Sequence, residues 1–297
     1  MNILTFDIEE WYIEKAFHGG RAFRYREFDD TLAKVLDELD QLGIKGTFFC
    51  VGKLASEFPD VVRRIASRGH EIGCHSYVHV WVNKMTEDIL YDDTTEALKA
   101  LEDVVGTKIT SYRAPAFSIT DKNPWAIQVL AECGIESDAS IFPAPRDFGG
   151  YPSFPQDTPC KVEYRGTQLK EYPIGMMSVF GRKIAYSGGG YFRLIPYWVT
   201  SWMMKRRDYD ICYFHLNDLI VHERKLMSRE DYEEYFMLPG TLKNRLVRYF
   251  KSNVRTGDTL EKLKCLLTDH QFVNIREADK LIDWEQMKTI KIGRCTT

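Results

Sequence analysis

Short apolar runs alternate with amphipathic stretches along the first two-thirds of this sequence, and five runs end on a residue able to do chemistry. Ile3 to Phe6 reads as a strand ending at Asp7. Lys45 to Val51 reads as a second strand, and Glu71 to Cys74 as a third that delivers His75. Ile109 to Tyr112 delivers Arg113, Ile135 to Ser140 carries Asp138, and Asp210 to Phe214 delivers His215. Between them lie helical patterns. Leu32, Val35, Leu36, Leu39 and Leu42 recur at helical spacing before Gly43, a residue suited to a left-handed helix stop. Pro59 opens a helix that Gly69 ends, Thr86 opens a longer one carrying Ile89, Leu90, Ala97, Leu98, Leu101 and Val105, and Asn123-Pro124 opens a third that Gly134 closes. Repeated strand–helix units require a parallel sheet, open or closed into a barrel, and such sheets gather chemistry at the carboxyl ends of their strands. The stretch from Ala144 to Gly190 is rich in Pro and Gly and reads as loop. Tyr197 to Lys205 reads as helix, and the tail from about His222 as mostly helical, with Leu260, Leu263, Leu266 and Leu267 turned inward.

Composition removes several function classes. The 297 residues carry a net charge of −3, so nothing points to a nucleic-acid partner. The basic run Lys205-Arg206-Arg207 reads as a solvated helix end. No run of about 18 apolar residues occurs, so no transmembrane segment is expected. Seven cysteines (50, 74, 133, 160, 212, 265 and 295) include no C-x-x-C pair, which suits reduced thiols. With no signal-peptide pattern at the start, the expected location is cytoplasmic.

Four segments carry candidate chemistry. In Thr5-Phe6-Asp7-Ile8-Glu9-Glu10-Trp11, alternation along an extended chain puts Asp7 and Glu9 on one side and Glu10 on the other. Two carboxylates on one side can divide labour, one holding a metal and one handling a proton; a solvated acidic turn is the bland alternative, against which Trp11 and Tyr12 argue. His75 and His79 stand four apart and can converge on one metal ion, although His-x-x-x-His alone is weakly specific. Arg113 in Arg113-Ala114-Pro115 can keep a neighbouring carboxylate ionised and oriented. His215 is suited to donate a proton to a leaving group. His70 reads as structural, and His222 and His270 as surface residues.

Taken together these segments resemble the polysaccharide deacetylases of carbohydrate esterase family 4. The resemblance rests on Thr5-Phe6-Asp7-Ile8-Glu9, His75-Ser76-Tyr77-Val78-His79, Arg113-Ala114-Pro115, Ser137-Asp138-Ala139-Ser140 and Phe214-His215, in family order over roughly residues 1–220. Ser187-Gly188-Gly189-Gly190-Tyr191-Phe192-Arg193 is similar to the branch found in bacterial exopolysaccharide and surface-glycan loci. It implies an α/β fold: a distorted (β/α) barrel of about seven units over residues 1–220, with a helical extension, 221–297, packed on it. That extension would be a substrate lid, a dimer surface or a cap.

The resemblance also implies roles. Asp7 would be the general base, His75 and His79 metal ligands, Arg113 the residue holding Asp7, and His215 the general acid. Pro115 and Tyr213 would contact substrate, and a backbone N–H between Pro115 and Phe117 would stabilise an oxyanion. The commoner family pattern has two adjacent aspartates; here Ile8 follows Asp7, so the metal carboxylate would be Glu9, or else Glu10. A carboxylate with two histidines suits a divalent metal, zinc by preference, with manganese, cobalt and nickel as alternatives. The expected activity is removal of an N-acetyl group from a sugar in surface-polysaccharide biosynthesis. The expected partner is an N-acetylated sugar, a nucleotide sugar or a lipid-linked glycan, with Phe192, Trp198, Trp202 and Tyr213 as stacking candidates. A catalytically silent glycan-binding scaffold and an amidase acting on a non-sugar C–N bond are the competing expectations. The oligomeric state is left open.

Overall fold

The structure is a computed structural model and describes residues 1–18, 22–179, 181–220, 226–236, 238–253 and 257–293. Twelve strands are described: β1 (Asn2–Ile8), β2 (Thr47–Cys50), β3 (Glu71–Cys74), β4 (Ser111–Tyr112), β5 (Ser137–Asp138), β6 (Cys160–Tyr164), β7 (Thr167–Glu171), β8 (Met176–Val179), β9 (Arg182–Ala185), β10 (Asp210–His215), β11 (Phe272–Val273) and β12 (Thr289–Lys291). Ten form one sheet in the order β10-β1-β2-β3-β4-β5-β7-β6-β12, with β11 also on β1. All pairs are parallel except β6 with β7. Among the described residues β10 and β12 do not pair with each other, so the barrel-like sheet is not closed by hydrogen bonds.

Alternation along β1 builds two cores. Leu4, Phe6 and Ile8 face one side, where the ring of Phe6 stacks on Phe48 at 4.8 Å and Leu32, Val35, Leu36 and Leu39 of the helix Ala22–Gln41 cover them. Ile3 points the other way, into a second cluster with Phe49, Phe117, Phe142, Tyr172, Ile211 and Tyr213. Side chains two apart share a face, so Thr5 and Asp7 follow Ile3 onto this inner side, and His215 follows Ile211 and Tyr213. The parallel register pairs Asp7 with His215 and with Phe49, Cys50 with Cys74, Cys74 with Tyr112, and Tyr112 with Asp138. The carboxyl ends of six strands therefore meet at one edge.

The helical periodicities hold except at Leu42, which lies beyond the helix Ala22–Gln41 and is exposed. Gly43 stops its helix at φ +65°. Thr86 caps the helix Glu87–Val105, its side chain accepting from the Ile89 N–H at 3.4 Å, although Ile89 itself is exposed. Asn123 does not cap a helix; it organises the preceding turn, accepting from Thr120 N–H at 2.8 Å and donating to Ser118 O at 3.1 Å.

The region read as loop from Ala144 to Gly190 instead holds two hairpins, β6–β7 and β8–β9. In the first, Tyr164 pairs with Thr167 across Arg165 and Gly166, whose φ values of +49° and +89° match a type I′ turn. The C-terminal segment is helical over Arg229–Phe236, Leu242–Asn253, Thr259–Asp269 and Ile275–Leu281, but it also returns β11 and β12 to the sheet. β11 pairs with Asn2 and Ile3, residues that β2 leaves unpaired. No described helix is long and apolar enough to cross a membrane.

Candidate active site

Thr5, Asp7 and Arg113 form the frame. Arg113 is fully buried, and its Nη1 donates to Asp7 Oδ1 and to Thr5 Oγ1, each at 2.8 Å, while Nε donates to Ala139 O at 3.1 Å. Its guanidinium carbon lies 4.4 Å from the Phe49 ring centroid. One side chain thus ties together residues from β1, β2, β4 and the end of β5. Burial pushes the Asp7 carboxyl up, but the charges of Arg113, His75 and His215 outweigh it and hold Asp7 below its ordinary value.

Glu9 occupies the single-residue joint between β1 and the helix Glu10–His18. Its Oε2 lies 3.7 Å from His75 Nε2 and in closer contact with His79 Nε2. That oxygen is buried, and the two imidazoles are what it faces. His75 Nδ1 donates to Arg113 O at 2.7 Å, which fixes the ring with Nε2 toward Glu9. The three donor atoms lie within 4.8 Å of one another. A buried carboxylate oxygen converging with two imidazole nitrogens fits a divalent metal. Glu10 faces elsewhere: its carboxylate accepts from the Glu9 N–H at 3.2 Å and the Asn217 N–H at 3.0 Å, and burial with the adjacent Glu9 charge pushes it up to about 7.

His215 stands across from the trio, its Nε2 3.8 Å from Asp7 Oδ2 and 3.9 Å from Glu9 Oε1. It caps the short helix Leu216–Leu219, with its backbone N–H donating to Asp218 Oδ2 at 3.0 Å and its ring Nδ1 3.3 Å from the same oxygen. Burial favours the neutral imidazole, yet Glu9, Asp218 and Asp7 overcome it and raise His215 to about 10. Asp218 was not legible as a site residue; its signal is the His-x-x-Asp spacing of a capping box.

Backbone strain concentrates here. Of five non-glycine residues with positive φ among the described residues, Ser76, His79, Ala116 and Phe117 flank the site. Ala116 and Phe117 follow Pro115. Pro115 has no N–H and the Phe117 N–H donates to Ala114 O at 3.1 Å, so Ala116 carries the remaining amide of this turn. Beside His215 opens a cleft of about 340 Å³ lined by Arg146, Tyr191, Arg193, Tyr213, Asp218 and Arg248, among others. Tyr213 thus reaches the cleft. Phe192 is fully buried in the core, and Trp198 and Trp202 are exposed but do not line it. The cleft arginines come from three distant segments; Arg193 stood in the Ser187–Arg193 segment, but no local motif announced Arg146 or Arg248.

Comparison with known families places the first part of the chain. The family model "Polysaccharide deacetylase" matches residues 3–137, and a "Domain of unknown function (DUF3473)" matches 139–280. The chain carries a polysaccharide deacetylase domain of carbohydrate esterase family 4. Within this deacetylase domain it is similar to a peptidoglycan-N-acetylglucosamine deacetylase of Bacillus cereus, 35% identical over 96 residues, which are 32% of this chain and 35% of that protein. It is also similar to the peptidoglycan-N-acetylglucosamine deacetylase PgdA of Listeria monocytogenes, 33% identical over 101 residues, 34% of this chain and 20% of that protein. The chain therefore spans about a third or less of these relatives' length. In fold it resembles a candidate polysaccharide deacetylase from Mycobacterium smegmatis, with a TM-score of 0.62 at 18% identity, covering 100% of this chain and 94% of that one.

The other residues singled out in the sequence take structural places. His70 is buried and its Nδ1 accepts from the Gly46 N–H at 3.3 Å. His270, expected at the surface, is half-buried with Nε2 2.9 Å from Ser201 Oγ. Arg207 is not a solvated helix end: it pairs with Asp157 at 3.1 Å and donates to Met176 O at 2.7 Å. Asp138 hydrogen-bonds Ser140 and shares a buried site with Glu171, whose carboxyl is pushed well up by burial and by Asp138. Six cysteines are free thiols; Cys295 and His222 lie outside the described residues.

Proposed function

We propose that the protein is a metal-dependent deacetylase that hydrolyses the acetamide of an N-acetylated sugar during surface-polysaccharide biosynthesis. The observation that carries this reading is the buried Glu9 Oε2 on which both imidazole Nε2 atoms converge, beside an Asp7 that Arg113 clamps on one oxygen only. Glu9, His75 and His79 would hold the ion, zinc by preference with manganese, cobalt or nickel as alternatives. When bound, a divalent metal polarises the acetamide carbonyl and makes water more acidic.

Each side chain has a task in that reaction. Asp7 commits Oδ1 to Arg113, which leaves Oδ2 to take the proton from the attacking water. The water oxygen bonds to the acetamide carbon, and the amide of Ala116 donates toward the oxyanion. His215, kept protonated by its acidic neighbours and held by Asp218, delivers a proton to the sugar nitrogen as the C–N bond breaks. Acetate and a free amine result. Pro115 and Tyr213 border the substrate.

The substrate in this reading is a biosynthetic intermediate, a nucleotide sugar or lipid-linked glycan met on the cytoplasmic side; the resemblance of Ser187–Arg193 to surface-glycan proteins supports it, and Gly189, Gly190, Tyr191 and Arg193 of that segment line the cleft beside His215. Residues 221–297 act as a cap on the barrel, since β11 completes the edge of β1 and Arg248 borders the cleft. The silent-scaffold reading is less supported, because the full set Asp7, Glu9, His75, His79, Arg113 and His215 is present and assembled.

The deciding experiment is metal content by mass spectrometry on wild type and on the His75→Ala/His79→Ala variant, followed by acetate release from N-acetylated sugars and from small cyclic amides. About one ion per chain, lost in the variant, together with turnover of the sugars, is expected. Failure of the wild type to bind zinc, cobalt or manganese would overturn the mechanism.

A further inference from the structure

We propose that the cleft beside His215 binds an anionic group, a phosphate or a carboxylate, carried by the same sugar that is deacetylated. This inference rests on the deacetylase reading and narrows its substrate class.

Three guanidinium groups from distant parts of the chain converge on the cleft: Arg146 from the loop after β5, Arg193 from the helix Gly189–Leu194, and Arg248 from the helix Leu242–Asn253. Two acids share the lining. Asp218 is engaged by His215 and lies 3.7 Å from Arg193, and Asp147 is exposed at the mouth. Neither Arg146 nor Arg248 forms an ion pair among the described residues.

Arg146 is built into position. Its guanidinium carbon lies 4.5 Å from the Phe142 ring centroid and 4.9 Å from that of Phe117, and its Nη1 donates to the Tyr213 hydroxyl at 3.3 Å. Phe117 belongs to the strained turn after Pro115, so this arginine is packed against the wall of the reaction site itself. Two rings hold the plane of the fork while its other donors are left for a ligand. A planar guanidinium matches a phosphate or carboxylate through paired hydrogen bonds, which a neutral hydroxyl cannot offer. Arg248 packs on the Phe236 ring at 4.8 Å and brings a second cation to the rim. Tyr191, half-buried in the lining, supplies a ring face for the sugar, while Tyr213 is packed beneath Gly188 and Gly189.

The test uses the metal-loaded full chain and four probes: N-acetylglucosamine 1-phosphate, UDP-N-acetylglucosamine, N-acetylglucosaminuronic acid and neutral N,N′-diacetylchitobiose. Binding is read by calorimetry and acetate release by a coupled assay. An anionic probe should bind at least about tenfold more tightly than the neutral one. Arg146→Gln should erase that preference and Arg146→Lys restore part of it. Arg206→Gln, at a surface arginine outside the cleft, should leave it intact. Arg248→Gln, at an exposed position, provides a second reading if the Arg146 variants fail to fold, and should weaken anion binding. Preference for the two phosphates over the uronic acid, or the reverse, identifies the anion. Equal binding of neutral and anionic probes overturns the inference, as does a preference that survives both Arg146→Gln and Arg248→Gln. An Arg146-dependent preference without acetate release from any probe upholds the anion site and overturns the deacetylase reading instead.

Discussion

Replacing Arg113 with methionine tests whether one buried cation organises the site. The guanidinium is fully buried and donates to Asp7, Thr5 and Ala139, so the change removes three hydrogen bonds and leaves buried Asp7 without its nearest countercharge, with His215 at 3.8 Å remaining. Breaking a buried ion pair in this way costs about 3–5 kcal/mol. With an unfolding entropy of about 2 cal/mol/K per residue, that cost lowers the melting temperature of a chain this size by roughly 5–8 °C. Asp7→Asn alone leaves Arg113 without its carboxylate and is destabilising as well. The double variant Asp7→Asn/Arg113→Met lacks both charges, so the two costs should fail to add by about 2 kcal/mol. Thermal unfolding of the wild type and all three variants by circular dichroism gives the cycle directly. Costs that add to within about 0.5 kcal/mol would refute the claim that Arg113 acts through Asp7.

His215→Ala should keep its metal and lose acetate release by about 10²- to 10⁴-fold, measured by metal analysis and turnover on one preparation; normal turnover would remove His215 from the mechanism. Glu9→Gln should lose the metal while Glu10→Gln retains it, because only Glu9 faces the two imidazoles; the opposite result would exchange their roles. Gly166→Val should cost about 1–2 kcal/mol with unchanged activity, since the hairpin turn needs positive φ there; unchanged stability would argue against the turn. Burial, aided by the charge of Lys45, lowers His70 from 6.5 to about 4. The unfolded chain therefore takes up this proton first, and stability present above about pH 6.5 is lost as pH falls toward 4, by about 3 kcal/mol in all. Urea midpoints from pH 7.5 to 4.5 should fall less steeply for His70→Gln than for wild type, and identical slopes would contradict the assignment.

The parallel sheet was legible because its strands are short apolar runs that each hand over a polar residue, and parallel register lines those residues up at one edge. Alternation through Asp7-Ile8-Glu9 placed the two carboxylates on one side, and the structure turns Glu9 toward His75 and His79 and Glu10 toward backbone amides. The β6–β7 hairpin was lost among surrounding prolines and glycines, although its alternating burial and the Arg165-Gly166 turn carried the signal. β11 could not be read: two residues are too few for a period to show. The convergence of the cleft arginines was hidden for another reason, although Arg193 itself stood in the Ser187–Arg193 segment. Arg146, Arg193 and Arg248 become neighbours only when the segment after β5, the helix after β9 and the C-terminal helices fold together.

The boundary between the two matched families falls within β5: the first match ends at Ser137, the second begins at Ala139, and Asp138 lies between them. Yet Arg113, before it, donates to Ala139 after it, and β10 and β11 from the far half pair with β1 at the chain's start. The two halves are therefore interlocked rather than strung in tandem. A gene rearrangement or an expression fragment that kept only the first half would open the flank of β1 and part Asp7 from His215 in one stroke. Shuffling of this chain in evolution, or its use as a fusion module, has to carry both halves as one cargo.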